Sequence, residues 1–356
     1  MKILIDIGHP AHVHYFKNFI KIMKKKNHNI LIIARDKDVT YNLLNFYNYT
    51  YISRGKGGNN IFSKLLYLFK GNFIILKYAK KFKPDLNLSF GSPYVAMASL
   101  LLRVPHINFN DTEHAKLSHL ISDPFSQCIL TPSAYKVDLG KKQIRFNGYM
   151  ELCYLHPNYF EPDLSILDLL KVKNDEKYII MRFVSWNASH DIGHSGLSIE
   201  IKHKAVKELS KYANVFISSE EELPNDLKKY QLNISPNKMH DVLSFTDLFI
   251  GEGATMASEC ACLGTPAIYV NSLNVGYLEE QEKFGSLFSF RNSEDVIEKA
   301  IALLNTPNIK KEFQKRRKIM LAHKIDVTAF MVWLVEDYPK SVSIMKDNPA
   351  YQNIFN

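Results

Sequence analysis

A glycine-rich stretch in the second half of the chain, GEGATMASECACLGTP (residues 251–266), has the composition of a phosphate-binding turn. It follows the apolar run DLFI, and Gly251 and Gly253 precede a segment of small residues that is typical of a helix. Backbone N–H groups at a helix N-terminus bind phosphate, because they have no partner within the helix and lie at the positive end of its dipole. The sequence therefore predicts phosphate contacts at Gly253, Ala254 and Thr255.

A single carboxylate, Glu259, lies inside this predicted helix, one turn beyond the predicted phosphate contacts. At that position it could accept hydrogen bonds from the ribose hydroxyls of a nucleotide. The alternative is that Glu259 does no more than interact favourably with the helix dipole. The combination of glycines, small residues and one carboxylate favours the nucleotide.

Two polar segments in the first half of the chain, GHPAHVH (8–14) and NDTEHA (110–115), each follow an apolar run. Loops at the carboxyl ends of parallel strands converge at one edge of the sheet. If the protein transfers a group to an acceptor hydroxyl, His12 is the first choice for the general base that takes the proton of that hydroxyl, since an ordinary histidine pKa suits neutral pH. Asp111 or Glu113 would orient His12 or the acceptor. The acceptor side would also include His9, His14, Ser92 and His114.

The loop RFVSWNASHDIGHSG (182–196) follows a third apolar run. Arg182 could neutralise a leaving diphosphate with its permanent charge. In a group transfer, the polar residues of the loop could bind the sugar or the phosphate of the donor molecule. These residues are Ser185, Asn187, His190 and Asp191. The spacing of His190, Asp191 and His194 is only weakly metal-like, so we predict no metal site.

Continuous apolar strands alternate with helical patterns along the whole chain, which favours an α/β fold with parallel sheets. The predicted strands are KILIDI, NILIIAR, DLNLSF, HINFN and CILTP, then KYIIMRF, NVFISSE, LNISP, DLFIGEG and PAIYVN. GHPAHVH is predicted as a loop before a helix. A length of 356 residues suits two domains. We expect Rossmann-like domains at 1–155 and 156–325, with a helical segment, 326–356, that packs back on the first.

The composition is that of a globular protein, with 46% hydrophobic residues and a net charge of +9 that favours anionic partners. No RNP, zinc-finger or helix–turn–helix signature supports nucleic-acid binding. Four cysteines without CxxC spacing indicate reduced thiols, and no signal peptide or membrane span is evident. These features predict a cytoplasmic protein.

One segment, residues 59–84, mixes lysines with Phe, Leu, Ile and Tyr. It could contact the inner face of a membrane or a lipid-linked substrate. Ordinary amphipathic helices that cover the sheet explain the pattern equally well. Gly71 is expected to split it.

The stretch SECACLGTPAIYVNSLNVGYLEEQEKFG resembles the donor half of GT-B glycosyltransferases and their epimerase relatives. In those families a helical Glu is followed four residues later by Leu-Gly-x-Pro, as Glu259 is here. The resemblance implies that Glu280 and Gln281 contact donor-sugar hydroxyls, and that His240 lies where backbone groups read the nucleobase. The alternative for Glu280 and Gln281 is that they are solvent-exposed residues at the start of a helix. The alternative for His240 is that it only decorates the N-terminus of a helix.

The first half, in GHPAHVHYFKNFI, GSPYVA and NDTEHA, resembles the N-acetylglucosaminyltransferase that makes the second lipid intermediate of peptidoglycan. His12 takes the place of that enzyme's loop histidine. Nearly the whole chain resembles a prokaryotic domain-of-unknown-function family with GT-B folds. Its marks are DIGHPAHVH, NDTEHA, NGYMELCYLHP, RFVSWNASHD and GEGATMASE.

These resemblances imply a GT-B fold with two Rossmann-like domains facing across a cleft. They imply a metal-independent, inverting glycosyltransferase that uses no cofactor. Its donor would be a nucleotide-sugar, of the UDP-N-acetylhexosamine type, and its acceptor a glycan or lipid-linked molecule of surface-polysaccharide biosynthesis. A UDP-N-acetylhexosamine 2-epimerase is the alternative, which resembles the chain at Glu113 and Glu259 but has Asp where Ser92 stands. A non-enzymatic sugar sensor ranks third.

Overall fold

The computed structural model describes residues 1–58, 61–184, 197–273 and 275–356. The chain forms two compact units. Unit 1 contains Met1–Tyr154 together with Lys324–Asn356, and unit 2 contains Leu155–His323.

A parallel sheet forms the centre of unit 1. Within the described residues its strands are β1 (Lys2–Ile7), β2 (Asn29–Asp36), β3 (Tyr51–Lys56), β4 (Leu86–Phe90), β5 (His106–Phe109), β6 (Cys128–Pro132) and β7 (Gln143–Phe146). Their order is β3-β2-β1-β4-β5-β6-β7. In the register, Asp6 of β1 lies opposite Ile33 of β2 and Ser89 of β4. The central strands are buried along their length, as the continuous apolar runs predict.

Helices cover this sheet. They are α1 (Pro10–Lys25), α2 (Thr40–Phe46), α3 (Ile61–Phe82), α4 (Pro93–Leu102), α5 (Lys116–Ser122) and α6 (Leu152–Leu155). Short 3-10 turns occupy Asp123–Phe125 and Gly140–Lys142.

Helix α1 begins earlier than the sequence predicts. Pro10 is its first residue, and the Nδ1 atom of His9 caps it by accepting the N–H of Ala11 at 3.2 Å. Proline is favoured at a first helical position, because its missing N–H would have no partner there and its φ is already helical. The interpretation of GHPAHVH as a loop is therefore wrong from Pro10 onwards, and His12 and His14 belong to the helix.

Helix α3 is continuous from Ile61 to Phe82, so the predicted break at Gly71 is wrong. A Cβ atom at Gly71 would lie 2.8 Å from the ring of Tyr94 on α4. Glycine therefore serves close packing of α3 against α4 and does not end the helix.

Unit 2 has a smaller parallel sheet, of order β12-β11-β10-β8-β9. The strands are β8 (Tyr178–Phe183), β9 (Asn214–Ser219), β10 (Leu248–Gly251), β11 (Ala267–Val270) and β12 (Phe288–Phe290). The helices are α7 (Ile166–Leu170), α8 (Ile199–Leu209), α9 (Met239–Phe245), α10 (Ala254–Leu263), α11 (Gly276–Lys283), α12 (Val296–Asn305) and α13 (Ile309–Leu321). Further 3-10 turns lie at Lys228–Tyr230 and Pro236–Lys238.

The C-terminal part of the chain returns to unit 1. It consists of α14 (Val327–Glu336), α15 (Lys340–Asp347) and a 3-10 segment, Pro349–Phe355. Glu336 pairs with Lys26 and with His28, the latter at 3.0 Å, and Asn147 donates its N–H to Gln352 at 2.6 Å. These contacts join the first and last segments of the chain in one unit.

Nine of the ten predicted strands are present, and LNISP is not a strand. Its neighbour Gln231 makes only an isolated bridge to Ile217 of β9. Three strands were not predicted: β3, β7 and β12. Their alternating or very short sequences, YISRGK, QIRF and FSF, lack the long apolar runs of the central strands.

Candidate functional site

The glycine-rich stretch forms the strand–turn–helix that the sequence predicts. Strand β10 ends at Gly251, Gly253 is the N-cap of α10, and Gly264, with φ 72°, ends that helix in the left-handed conformation. The first N–H groups of α10 have no acceptor within the helix. The turn is only partly buried from Gly253 to Met256, so a ligand can reach Ala254 and Thr255.

Glu259 lies on α10 and is 5% exposed. Its Oε1 is 3.0 Å from Nε2 of His240 on α9, which is 3% exposed. The ring of Phe160 meets that of His240 edge-on at 6.2 Å between centroids. The two predicted donor residues thus form one buried polar pair beside the α10 turn.

A further buried carboxylate, Glu252, was missed by the sequence analysis. Its two oxygens accept the N–H groups of Val184, at 3.0 Å, and Leu197, at 2.7 Å. Lys202 of α8 approaches the same carboxylate at 3.2 Å, and the glutamate side chain is 0% exposed. Glu252 therefore links the end of β8 and the start of the α8 region to the α10 turn. A charged residue between two glycines was the available signal.

Arg182 does not fit the role of a cation for the leaving diphosphate. Its guanidinium donates to Ser218 at 2.8 Å and to Glu220 at 2.7 Å, both at the end of β9. Because β8 lies between β10 and β9, the side chain turns away from the strand that leads into α10. Its charge is already balanced by Glu220.

Gln281 does not fit direct contact with a sugar, because its side chain is 0% exposed. Its amide donates to the hydroxyl of Ser258 at 2.8 Å, which joins α11 to α10. Glu280, its neighbour on α11, is partly exposed and stays a sugar-contact candidate. The predicted residues Ser185, Asn187, His190, Asp191 and His194 lie outside the described residues.

In unit 1, His12 lies beside the carboxyl end of β1. The N–H of Gly8 donates to its Nδ1 at 3.3 Å, and the ring packs 4.9 Å from that of Phe90. Burial, together with the positive charges of His9, Lys37 and Arg54, holds the pKa of His12 well below its ordinary value of 6.5. An imidazole whose Nδ1 accepts a hydrogen bond carries its proton on Nε2. In this tautomer His12 is a hydrogen-bond donor at Nε2 and not a base there.

His14 does not fit the acceptor side. Two residues after His12, it lies on another face of α1, where it is 8% exposed and packs 5.2 Å from the ring of Tyr154. His9 and Ser92 use their side chains as helix caps: the hydroxyl of Ser92 accepts the N–H of Val95 at 3.4 Å. His114 follows in the loop after β5 and is partly exposed.

Asp111 stands at the end of β5 and is held by two hydroxyl groups. Tyr15 of α1 donates to Oδ2 at 3.3 Å, and Thr112 donates to Oδ1 at 2.9 Å. Burial raises the pKa of Asp111 from 3.8 to about 6, and the charge of Glu113 adds to the rise. The ring of Tyr15 packs 5.0 Å from that of Phe90, the same ring that His12 contacts. His12 and Asp111 thus share one neighbourhood, as predicted.

Glu113 borders a cavity of about 500 Å³ in unit 1. Its Oε1 accepts the N–H of Lys136 at 3.2 Å. A second residue that the sequence analysis missed, His119 of α5, reaches the carbonyl of Thr112 at 3.0 Å and Asp123 at 3.4 Å. Burial lowers the pKa of His119, but these two partners outweigh it and the net shift is upward.

Within the described ranges, no three His, Cys, Asp or Glu side chains lie together as they would around a metal ion. No described helix is both long enough and apolar enough to cross a bilayer.

Several solved structures share this architecture. The structure of Staphylococcus aureus MnaA with UDP superposes with a TM-score of 0.70 and 12% sequence identity. The match covers 96% of this chain and 98% of the MnaA chain. The structure of the Methanocaldococcus jannaschii UDP-GlcNAc 2-epimerase with UDP-GlcNAc and UDP has a TM-score of 0.63 and 13% sequence identity. The match covers 90% of this chain and 99% of the epimerase chain. The structure of the spinosyn rhamnosyltransferase SpnG with spinosyn aglycone has a TM-score of 0.60 and 12% sequence identity. The match covers 94% of this chain and 100% of the SpnG chain. The fold is the predicted GT-B fold.

The chain belongs to the protein family of unknown function DUF354, whose model matches residues 1–338. An uncharacterized protein of M. jannaschii is 27% identical over 279 residues, which are 75% of this chain and 81% of that protein. The prediction of a domain-of-unknown-function family with a GT-B fold is confirmed at this level.

Proposed function

We propose that the protein is a nucleotide-sugar-dependent glycosyltransferase. The observation that carries the proposal is the α10 turn, where Gly253 opens a helix directly after a parallel strand and the Glu259–His240 pair lies one turn further on. A diphosphate fits the N–H groups of Ala254 and Thr255, because they lie at the positive end of the helix dipole. Glu259 would then accept the ribose hydroxyls of the nucleotide.

The proposed donor is a UDP-sugar of the N-acetylhexosamine type. Two of the structurally similar proteins support this, since one was solved with UDP and the other with UDP-GlcNAc and UDP. Glu280 on α11 is the proposed sugar contact. The helix dipole of α10 would hold the leaving diphosphate without a metal or a cofactor.

In the proposed reaction unit 1 supplies the base. An acceptor hydroxyl loses its proton to Asp111, and its oxygen bonds to the anomeric carbon of the sugar. The bond from that carbon to the diphosphate oxygen breaks, and its electron pair leaves with the nucleoside diphosphate. Asp111 suits this role better than His12, because a carboxylate with a pKa of about 6 is ionised yet basic near neutral pH. Nε2–H of His12 would donate to the reacting oxygens.

A UDP-N-acetylhexosamine 2-epimerase is the second candidate. Asp111 and Glu113 lie close enough for the charge of one to raise the pKa of the other. Two neighbouring carboxyl groups could remove and return a proton on a sugar ring. We rank it second because Ser92, where the epimerases have Asp, is a helix cap.

Calorimetric and thermal-shift titration with UDP, GDP, CMP, ADP and their sugars tests the donor site. We expect saturable binding of one nucleotide by the wild-type protein. Glu259→Ala should lose roughly tenfold or more in affinity, because one hydrogen bond to a charged group contributes about 1.5–3 kcal/mol. Glu259→Gln keeps a partner for His240 and separates lost binding from lost folding.

Glu298→Ala is the matched control, since Glu298 is an exposed helical glutamate of α12 in the same unit. It should bind like the wild type. Absence of any nucleotide binding would refute the donor site. Interconversion of a UDP-sugar without an acceptor would identify the epimerase instead.

The proposed acceptor is a glycan or lipid-linked molecule of surface-polysaccharide biosynthesis, used at the cytoplasmic face of a membrane. Helix α3 supports membrane contact, because Leu66, Phe69 and Phe73 are 55%, 66% and 67% exposed and follow helical spacing. Lys70 and Lys77 are exposed on the same helix, and lysines near an anionic bilayer contribute about 1 kcal/mol each.

We expect the double variant Phe69→Ser/Phe73→Ser to bind vesicles of phosphatidylglycerol and phosphatidylcholine several-fold more weakly than the wild type. The lost apolar area is worth about 1.5–3 kcal/mol per fully buried phenylalanine. Co-flotation with the vesicles measures it. Leu169→Ser, at a 63% exposed position of α7, is the control. Equal flotation of both variants would assign the α3 face no role at a membrane.

A further inference from the structure

Arg35, the next-to-last residue of β2, has a positive charge that no carboxylate among the described residues balances. Its Nε atom is buried, and among the described residues it has no hydrogen-bond partner. No carboxylate of the described residues forms an ion pair with it, although its guanidinium lies 5.7 Å from the ring of Tyr67. A buried, unpaired N–H of a cation is costly, so a native protein that keeps one has a reason for it.

The guanidinium of Arg35 lies against the backbone at Gly57. A Cβ atom at Gly57 would lie 2.0 Å from Nη2 and 2.6 Å from Cζ of Arg35. Only glycine allows the backbone to lie this close to the side chain. The Nε end of the Arg35 side chain is therefore enclosed by protein at Gly57, while the side chain as a whole stays partly exposed.

The carboxylate of Asp6, in the same cluster as Arg35, already pairs with another arginine. Asp6 of β1 binds Arg54 of β3 through both oxygens, at 3.0 and 3.1 Å, and Arg54 also donates to Tyr67 at 2.8 Å. Asp6 and Arg54 are 1% and 3% exposed. This bidentate pair is neutral, so the charge of Arg35 remains in excess beside it.

The excess charge lies on the same edge of the sheet as His12. A Cβ atom at Gly8 would lie 3.4 Å from Nη2 of Arg54 and 3.8 Å from the ring of His12. Lys37, two residues after Arg35, adds a further positive charge that acts on His12. A molecule bound near His12 therefore lies at the sheet edge where Arg35 and Lys37 place positive charge at the end of β2.

We propose that Arg35 binds a phosphoryl group of the acceptor substrate. This proposal rests on the proposed function in that it treats unit 1 as the acceptor unit. A guanidinium offers Nε–H and Nη–H in a fixed planar fork that matches two phosphate oxygens. Lys37, whose ammonium lies 3.9 Å from the exposed Asp38, is a second cation at the same end of β2. The proposed acceptor is thus a sugar phosphate, or a sugar joined to a lipid through phosphate.

The test follows the Nε–H resonance of Arg35 in the full chain labelled with ¹⁵N-arginine. Its disappearance in Arg35→Gln assigns the resonance. Inorganic phosphate, added against sodium chloride of equal ionic strength, is expected to shift it saturably with Kd near 1 mM. Arg291→Gln, at an exposed position of unit 2, should leave the shift unchanged. Gly57→Ala should weaken it several-fold while Arg35 is retained.

An Arg35 resonance that phosphate does not move, or an equal shift in Gly57→Ala, would overturn the proposal. Flotation with phosphatidic acid vesicles, against phosphatidylcholine vesicles, separates the two sources of phosphate. A phosphatidic acid preference that Arg35→Gln loses assigns a lipid-linked phosphate, and a response to inorganic phosphate alone assigns a soluble one. The readouts do not involve UDP, so failure of the donor site would leave a phosphate shift at Arg35 standing.

Discussion

Glu252→Ala is expected to lower the free energy of unfolding of unit 2 by about 3–5 kcal/mol, the cost of breaking a buried ion pair by removing one partner. The glutamate side chain is 0% exposed and that of Lys202 is 13% exposed, so water replaces little of what is lost. The N–H groups of Val184 and Leu197 would also lose their acceptor. Thermal unfolding should show a Tm lower by roughly 6–20 °C, at about 2–4 °C per kcal/mol for a unit of this size.

The control for this prediction is the partner residue. Lys202→Met keeps the apolar stem that packs over Phe183 but removes the charge, which lies 4.6 Å from the ring centroid. The double variant Glu252→Gln/Lys202→Met should be more stable than Glu252→Ala, because it buries no unpaired charge and keeps one amide oxygen for a backbone N–H. If Glu252→Ala lowers Tm by less than about 2 °C, Glu252 does not join β8, α8 and α10 as described.

The sequence predicts the central strands well, because a strand buried on both faces must be continuously apolar. KILIDI and KYIIMRF have this pattern and form β1 and β8. Edge strands lack it: QIRF alternates polar and apolar residues, and as β7 it pairs with β6 alone among the described strands. The first turn of α1 was missed for a different reason, since Pro10 can begin a helix as readily as it can interrupt one.

The candidate site was predicted in part, where chain-local patterns determine it. The α10 turn needs only a glycine, a strand and a helix in sequence, and all three can be read from GEGATMASE. The partners of charged groups are a different matter, because they come from distant positions. Arg182 of β8 pairs with Glu220, which follows β9 and is 38 residues away, and Asp6 pairs with Arg54, 48 residues away. An aspartate inside the apolar run KILIDI was the one signal of that buried pair.

His12 shows how hydrogen bonding decides a role that residue type leaves open. The sequence favours His12 as the base because the pKa of an ordinary histidine is about 6.5. The N–H of Gly8 engages Nδ1, and burial with neighbouring positive charges keeps the ring neutral near pH 7. Asp111, by contrast, has two hydroxyl donors and a raised pKa. The proton acceptor therefore moves from the histidine to the carboxylate in the proposed mechanism.

Asp111→Asn is accordingly expected to lower kcat by about 10²–10⁴, the usual contribution of a general base, with a smaller change in KM. In the wild type, kcat should rise as pH increases through about 6, because only the ionised carboxylate accepts a proton. Tyr15→Phe removes a hydroxyl that lowers the pKa of Asp111, so it should move this rise to higher pH. A rise centred near 6.5 that His12→Gln abolishes would return the role of base to His12.

Asp111→Asn is expected to lower activity but to raise stability. This combination distinguishes a functional carboxylate from a structural one. Since the pKa of Asp111 in the folded protein is about 6, above its ordinary 3.8, the folded state binds the proton more tightly than the unfolded state. Stability should therefore fall as pH rises from about 4 to 6, and the deficit persists above pH 6. Asp111→Asn removes this deficit, so its Tm should exceed that of the wild type at pH 7.5 and approach it below pH 4.

A variant that is both inactive and less stable at pH 7.5 would mean that Asp111 serves the fold through Tyr15 and Thr112. A variant that is inactive yet more stable is the result expected of a group retained for proton transfer at a cost in stability.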